Sequence, residues 1–368
     1  MTGFFVGMIA VLLGLVVSAY WILGRLGTFY GLNVKRPLGR VLRALAALGV
    51  LALSYLWRMV GLVAVHLAVI FLLTELATLL LRRVLPASGR ERRLLGKLYR
   101  TGLVPVVLTA ALLLWGGWNM ARVTRTDYRI ESTKLENSYR IVFLSDTHFG
   151  TIQSPQTLER VVEDINALCP DGVILGGDMV EEGTAKAAME EAFRLLGGLR
   201  ATYGIYYVYG NHDAQHYTST PAYTPEELER AIESNGITIL QDSWVPLGDE
   251  LVLAGRDDAG SRTGRKATRE VLAGAERERY VLLADHQPIE AEENAAQGVD
   301  LQLSGHTHAG QLWPIGVITT LTGGLNYGQY QVDGCRVIVS SGVAGWGFPV
   351  RTQGRSEYVV VDLVGMAP

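Results

Sequence analysis

Only two cysteines occur in 368 residues, Cys169 and Cys335, and no Cys-x-x-Cys spacing joins them. Neither a thiolate zinc site nor a disulfide framework is indicated, and both read as ordinary buried residues. A basic excess is missing too: 33 Lys and Arg stand against 36 Asp and Glu, for a net charge of -3. Nucleic acid normally demands a positive footprint, so none is expected as a partner.

Charge is absent altogether from residues 4–23 and 101–121. Each stretch has about the 20 apolar residues that a helix needs to cross a bilayer. Between them Val41 to Leu81 is apolar but broken at Arg58 and Gly61, which predicts a helical hairpin turning near Arg58 and four spans in all. Met1-Thr2-Gly3 supplies no positive n-region, so the first stretch reads as a span and not as a cleaved signal peptide. Trp115 and Trp118, near the end of the fourth, suit a membrane interface. Glu75 and His66 fall in the third span, where ionisable groups are functional candidates by default. One lies towards the helix end and the other has no evident partner, so both are read as structural.

Short cationic loops stay on the cytoplasmic side of a membrane. Arg25, Lys35, Arg36, Arg40 and Arg43 follow the first span, and a second cluster between Arg82 and Arg100 follows the third, whereas the turn after the second holds only Arg58. Four spans then place the remainder of a multi-pass cell-membrane protein outside the cytoplasm, although Arg122, Arg125 and Arg129 count the other way.

Residues 1–123 thus form a membrane region, 124–137 read as a linker, and 138–368 read as a water-soluble domain with enough chain for a full core. In that domain Tyr139 to Ser145 is a β-rich run ending at an Asp, and Thr157 to Leu168 has helical spacing. Val173 to Leu175 and Ala185 to Leu196 repeat the pair, and Gly204 to Tyr209 gives a third strand signal. Further strands are expected at 237–240, 251–254, 280–284, 301–303, 337–340 and 358–364. The pattern predicts an α+β, strand-rich sandwich flanked by helices.

Polar clusters follow the strands, where open α/β sheets place ligands: Asp146-Thr-His148, Gly177-Asp178, Gly210-Asn-His-Asp213, Asp285-His286 and Gly305-His-Thr-His308. Each alone is an ordinary turn. Together they gather five of the seven histidines with carboxylates and one amide oxygen. Two divalent cations about 3.5–4 Å apart would use that inventory, clamping a phosphate and making hydroxide available near neutral pH. Mixed nitrogen and oxygen donors suit manganese, iron or zinc.

In this order the five fragments resemble the signature of calcineurin-like metallophosphoesterases over residues 139–363, and the run from Gly305 to Pro314 resembles the membrane-associated bacterial branch of that family. The resemblance implies a four-layer α/β/β/α sandwich. It implies that Asp146, His148 and His308 hold one metal, that Asn211, His286 and His306 hold the other, and that Asp178 bridges both. Taken alone His286 reads as a strand-end histidine; the family pattern requires one between the third and fifth fragments, where His216 is the other. His212 is implied to protonate the leaving oxygen and Asp213 to orient it.

The expected substrate is a phosphomonoester, phosphodiester or pyrophosphate, with a lipid-linked one favoured by the membrane tether. The alternative is a receptor or transport subunit whose domain binds without turnover. Residues 215–223 read as a lid or an exposed loop. Trp313, Tyr327, Trp346 and Phe348 could line an apolar groove, and Arg351 could meet a second phosphate or a surface partner.

Overall fold

The structure is a computed structural model that describes residues 2–86, 89–261 and 264–366. The chain divides into two compact units, 1–115 and 116–368.

The first unit is helical: α1 (Thr2–Phe29), α2 (Pro37–Leu56), α3 (Arg58–Val84), α4 (Arg90–Thr101) and most of α5 (Leu103–Ala121). Four of them, α1, α2, α3 and α5, are long and apolar enough to cross a membrane. In α2 the apolar side chains Leu38, Val41, Leu42, Leu45 and Leu48 point outward, as a helix surrounded by lipid requires. The hairpin break falls at Trp57, whose extended backbone alone separates α2 from α3. Glu75 pairs with Arg25, whose guanidinium also lies 3.8 Å from the Tyr99 ring centroid. His66 is buried with Nδ1 2.9 Å from the Leu62 carbonyl oxygen one turn back. Both therefore have local partners, as a structural role demands. The charged helix α4 was not anticipated.

The second unit is built on two six-stranded sheets. Its strands are β1 (Val123–Ser132), β2 (Tyr139–Leu144), β3 (Gly172–Leu175), β4 (Ile205–Tyr207), β5 (Ile237–Ile239), β6 (Ser243–Leu247), β7 (Leu251–Gly255), β8 (Tyr280–Ala284), β9 (Leu301–Ser304), β10 (Gly328–Val332), β11 (Cys335–Val339) and β12 (Ser356–Gly365). One sheet runs β1-β12-β2-β3-β4-β5 and the other β10-β11-β9-β8-β7-β6. Helices α6 (Pro155–Asn166), α7 (Lys186–Leu196) and α8 (Pro225–Glu233) belong to the first sheet, and α9 (Thr268–Val271) and α10 (Ala291–Ala296) to the second. A sixth, short helix of this unit, α11 (Ile315–Leu321), follows the fifth polar fragment.

Alternation of side chains explains the layering. In β2, Ile141 and Phe143 pack with Leu253, Leu282 and Leu303 between the sheets, whereas Val142 and Leu144 pack against Leu158 and Phe193 of the helices. Strands buried on both faces read as continuous apolar runs. Each such side chain contributes about 1.5–3 kcal/mol on burial. The helix starts are encoded locally: Ser154 accepts from the Thr157 amide with Pro155 in the first turn, and Thr224 and Glu227 form a capping box around Pro225. The result is the four-layer α/β/β/α sandwich.

Two expectations require correction. Residues 124–137 are not simply a linker, because β1 pairs in parallel with β12 along its whole length, from Val123 opposite Ser356 to Ser132 opposite Gly365. Its charged side chains, including Arg125, Asp127 and Arg129, suit an edge strand that must resist further pairing. Cys169 is exposed, in the turn after α6, whereas Cys335 is buried; both are free thiols.

Candidate metal centre

Strand direction brings the polar clusters together. Strands β2, β3 and β4 are mutually parallel, as are β8 and β9, so the loops after them open at one edge of the sandwich. Asp146 and His148 follow β2, Asp178 follows β3, Asn211 and His212 follow β4, His286 follows β8, and His306 and His308 follow β9. The Gly-Asp and Gly-Asn sequences have a steric cause. A Cβ on Gly210 would collide with the Asp178 carboxylate, and one on Gly305 with that of Asp146.

Ligand-type atoms form two groups, each within 4.8 Å: Asp146, His148 and His308, and Asp178, His286 and His306. Asp178 Oδ2 lies 3.1 Å from His286 Nε2 of its own group and 4.0 Å from His148 Nε2 of the other. His308 Nε2 is 3.8 Å from Asp146 Oδ1. The His306 amide donates to Asp146 at 3.1 Å, tying the groups together through the backbone. Asn211 is buried immediately before His212, whose amide donates to Asp178 Oδ1 at 2.9 Å.

These residues meet a demanding test of fit for cations. His148 Nε2, Asp178 Oδ2, Asn211 Oδ1 and His286 Nε2 are all buried without a hydrogen-bond partner; the 3.1 Å approach of the last to Asp178 lacks hydrogen-bond alignment. Each orphaned polar atom costs about 1–3 kcal/mol, and four side by side imply a missing common partner. The opposite ring atoms are occupied: His286 Nδ1 lies 2.8 Å from the Gly176 carbonyl oxygen and His308 Nδ1 3.2 Å from that of Ala344. Such contacts turn Nε2 towards the site. The backbone is also committed, since Asp146, His148, Asp178, His306 and His308 all have φ between 41° and 67°. Left-handed residues clustered in this way mark functional sites.

Electrostatics favour neutral nitrogen donors at His306 and His308 and a charged oxygen at Asp178. Burial pushes His306 down to about 4, and burial with the neighbouring His148 pushes His308 well below the ordinary range. Burial acts against the charge of Asp178 too, but His286, His148 and His212 outweigh it and hold its carboxyl below the usual range. His286 is conversely raised, because Asp178 and Asp146 overcome the effect of burial.

His212 sits beside these groups, its ring 5.6 Å from that of His148. Nδ1 lies 2.7 Å from Glu182 Oε2. Burial alone would lower its pKa, but the Glu182 hydrogen bond and the Asp178 charge raise it. Trp346 stacks on the imidazole at 5.5 Å, and Tyr217 approaches it at 5.3 Å. Trp346 therefore lies beside the site, and Tyr217 brings the 215–223 segment to it. Tyr327 instead bonds to Glu357 at 3.0 Å.

The expectation for Asp213 is overturned: it does not orient His212. Fully buried, its carboxylate accepts from the amides of Asp178 at 2.8 Å, Gly210 at 2.7 Å and Val180 at 3.2 Å. It clamps the two loops that carry Asp178 and Asn211. Burial, then the Asp178 charge, push its carboxyl up to about 6, against the pull of those amides. Glu182 fills the orienting role, and Glu181 lies 3.2 Å from His148 Nδ1; both were missed, though two adjacent carboxylates just after Gly177-Asp178 were visible. Arg351 meets neither phosphate nor a surface partner. It is fully buried and donates to the carbonyls of His308, Ser341 and Ala344.

The family model for calcineurin-like phosphoesterase matches residues 139–310. A zebrafish (Danio rerio) transmembrane protein with metallophosphoesterase domain is 31% identical over 283 residues, covering 72% of this chain and 63% of its own. An uncharacterized metallophosphoesterase of Aquifex aeolicus is 31% identical, covering 65% of this chain and 90% of its own. The uncharacterized metallophosphoesterase YkuE of Bacillus subtilis is 27% identical, covering 71% and 95%. The chain thus spans less than two thirds of the zebrafish relative but nearly all of the two bacterial ones. With the two ligand groups at the strand ends and a 31% identical relative covered over 90% of its length, the chain belongs to the calcineurin-like phosphoesterase family.

Proposed function

We propose that this protein is a membrane-anchored phosphoesterase that uses two divalent cations to hydrolyse a phosphomonoester, phosphodiester or pyrophosphate bond. The observation that carries the reading is the set of buried, unpartnered atoms at His148, Asp178, Asn211 and His286. Asp146, His148 and His308 would hold one cation, Asn211, His286 and His306 the other, and Asp178 both. When bound, such a pair neutralises phosphate oxygens and acidifies a water molecule. Manganese, iron and zinc all suit this donor set.

The chain's own groups supply the rest. His212, with Nδ1 held by Glu182, carries a proton on Nε2 for the leaving oxygen. The oxygen of water bonds to phosphorus as the phosphorus–leaving-group bond breaks. Trp346 and Tyr217 flank His212. Residues 1–123 serve as the multi-pass anchor, and the loop charges favour an extracytoplasmic catalytic domain in the cell membrane. The tether favours a lipid-linked phosphate ester.

The test is release of p-nitrophenol from p-nitrophenyl phosphate and bis(p-nitrophenyl) phosphate by the full chain with manganese, iron or zinc. Turnover that is lost in Asp178→Asn together with bound metal, and slowed about 10²–10⁴-fold in His212→Ala with metal retained, supports the reading. No turnover with any of the three metals refutes it in favour of a non-catalytic binding domain.

A further inference from the structure

Beyond Ala121, most of the exposed large apolar side chains gather at α11 and Trp346; the others, such as Tyr203 and Ile289, are scattered. Ile315, Ile318 and Leu321 recur at helical spacing and are exposed, Leu321 by 81%. No charged residue occurs from Ala309 to Val332. The hydroxyls of α11 and its C-cap are bonded to their own helix: those of Thr319, Thr320 and Thr322 donate to the carbonyls of Ile315, Gly316 and Ile318 at 3.0–3.1 Å. Hydroxyls satisfied by their own helix leave it without a need for water.

The neighbours of α11 indicate what covers it. The last turn of α5, which belongs to the second unit, is bonded to the segment that holds α11: Gly116 accepts from the Arg351 amide at 3.0 Å, and Asn119 donates to Arg351 and Gly354. Gln353 of the same segment accepts from Gly316 of α11 at 3.2 Å. At that end of α5, Trp118 is exposed beneath the Arg122 guanidinium, 5.2 Å away, the residue pair favoured where a helix leaves the hydrocarbon. In the other direction, Gln311 accepts from the Trp346 amide at 2.9 Å, and Trp346 stacks on His212.

We infer that α11 and Trp346 rest in the lipid bilayer interface and form an apolar track from the membrane to His212, along which the hydrocarbon part of a lipid phosphate ester lies. The bilayer contact rests on α5 crossing the membrane; the substrate half rests also on the phosphoesterase reading.

The test uses the full chain in phosphatidylcholine/phosphatidylglycerol vesicles. In a Cys169→Ser background, a nitroxide at Leu321→Cys should collide more with oxygen than with a nickel chelate, and one at the exposed control site Glu159→Cys the reverse. A Leu321 label that behaves as the Glu159 label does overturns the bilayer contact. In the second arm, Ile318→Glu/Leu321→Glu should hydrolyse bis(p-nitrophenyl) phosphate normally. It should hydrolyse vesicle-borne hexadecyl p-nitrophenyl phosphate about tenfold more slowly, the equivalent of ~1.4 kcal/mol. Equal rates on the vesicle-borne ester overturn the track. If the unaltered protein cleaves neither ester, the phosphoesterase reading fails, and the track with it, while the nitroxide arm still decides the contact.

Discussion

Replacing Asp213 by Asn separates a clamp from an orienting group. The carboxylate takes three backbone amides, two on Oδ2 and one on Oδ1. The least costly Asn rotamer keeps its oxygen on Asp178 and Gly210 and turns its NH2 against the Val180 amide, which then has no acceptor. A charged hydrogen bond weakened to a neutral one loses about 1 kcal/mol, and a stranded buried N–H costs about 1–3 kcal/mol. Relief of repulsion from Asp178 works the other way, so a net loss of about 2 kcal/mol is expected. For a unit of this size that is roughly 4–8 °C in unfolding midpoint. Because Asp178 and Asn211 ride on the clamped loops, bound metal should fall with stability. The assay is thermal unfolding of the full chain in detergent, paired with metal analysis. An unchanged midpoint and metal content with a reduced kcat would refute the clamp and restore Asp213 as the group that orients His212.

Glu182→Gln removes the carboxylate charge from the hydrogen bond that raises the His212 pKa. The acid form, present below the folded pKa, is lost as pH rises through it, so the alkaline limb of the kcat profile should move to lower pH while metal content holds. An unmoved limb contradicts the assignment of His212 as proton donor. In the membrane unit, Glu75→Leu leaves Arg25 unpaired and should destabilise by about 3–5 kcal/mol, whereas Arg25→Met/Glu75→Leu should recover most of it; heat-induced aggregation in detergent reads both.

The residues that gather at the strand ends were legible because cation chemistry restricts residue type and strands place those residues at predictable ends. Direction was not legible. Asp213 follows His212 directly, yet its side chain turns inward to amides, while Glu182 reaches His212 from 30 residues upstream. A strand such as β1, half-buried at alternate positions and charged at the edge, resembles a linker until its partner β12 is known. Arg351 looked solvent-bound because nothing in a Gly-rich stretch foretells three carbonyls converging on one guanidinium. The short helix α11 was hidden for the same reason, its apolar face having no periodic run long enough to register.

The most direct measurement is anomalous diffraction from crystals of the full chain grown with manganese. The account predicts two peaks about 3.5–4 Å apart, one reached by Asp146, His148 and His308, the other by Asn211, His286 and His306, with the Asp178 carboxylate between them. A single peak, or peaks beyond reach of Asp178, would contradict it.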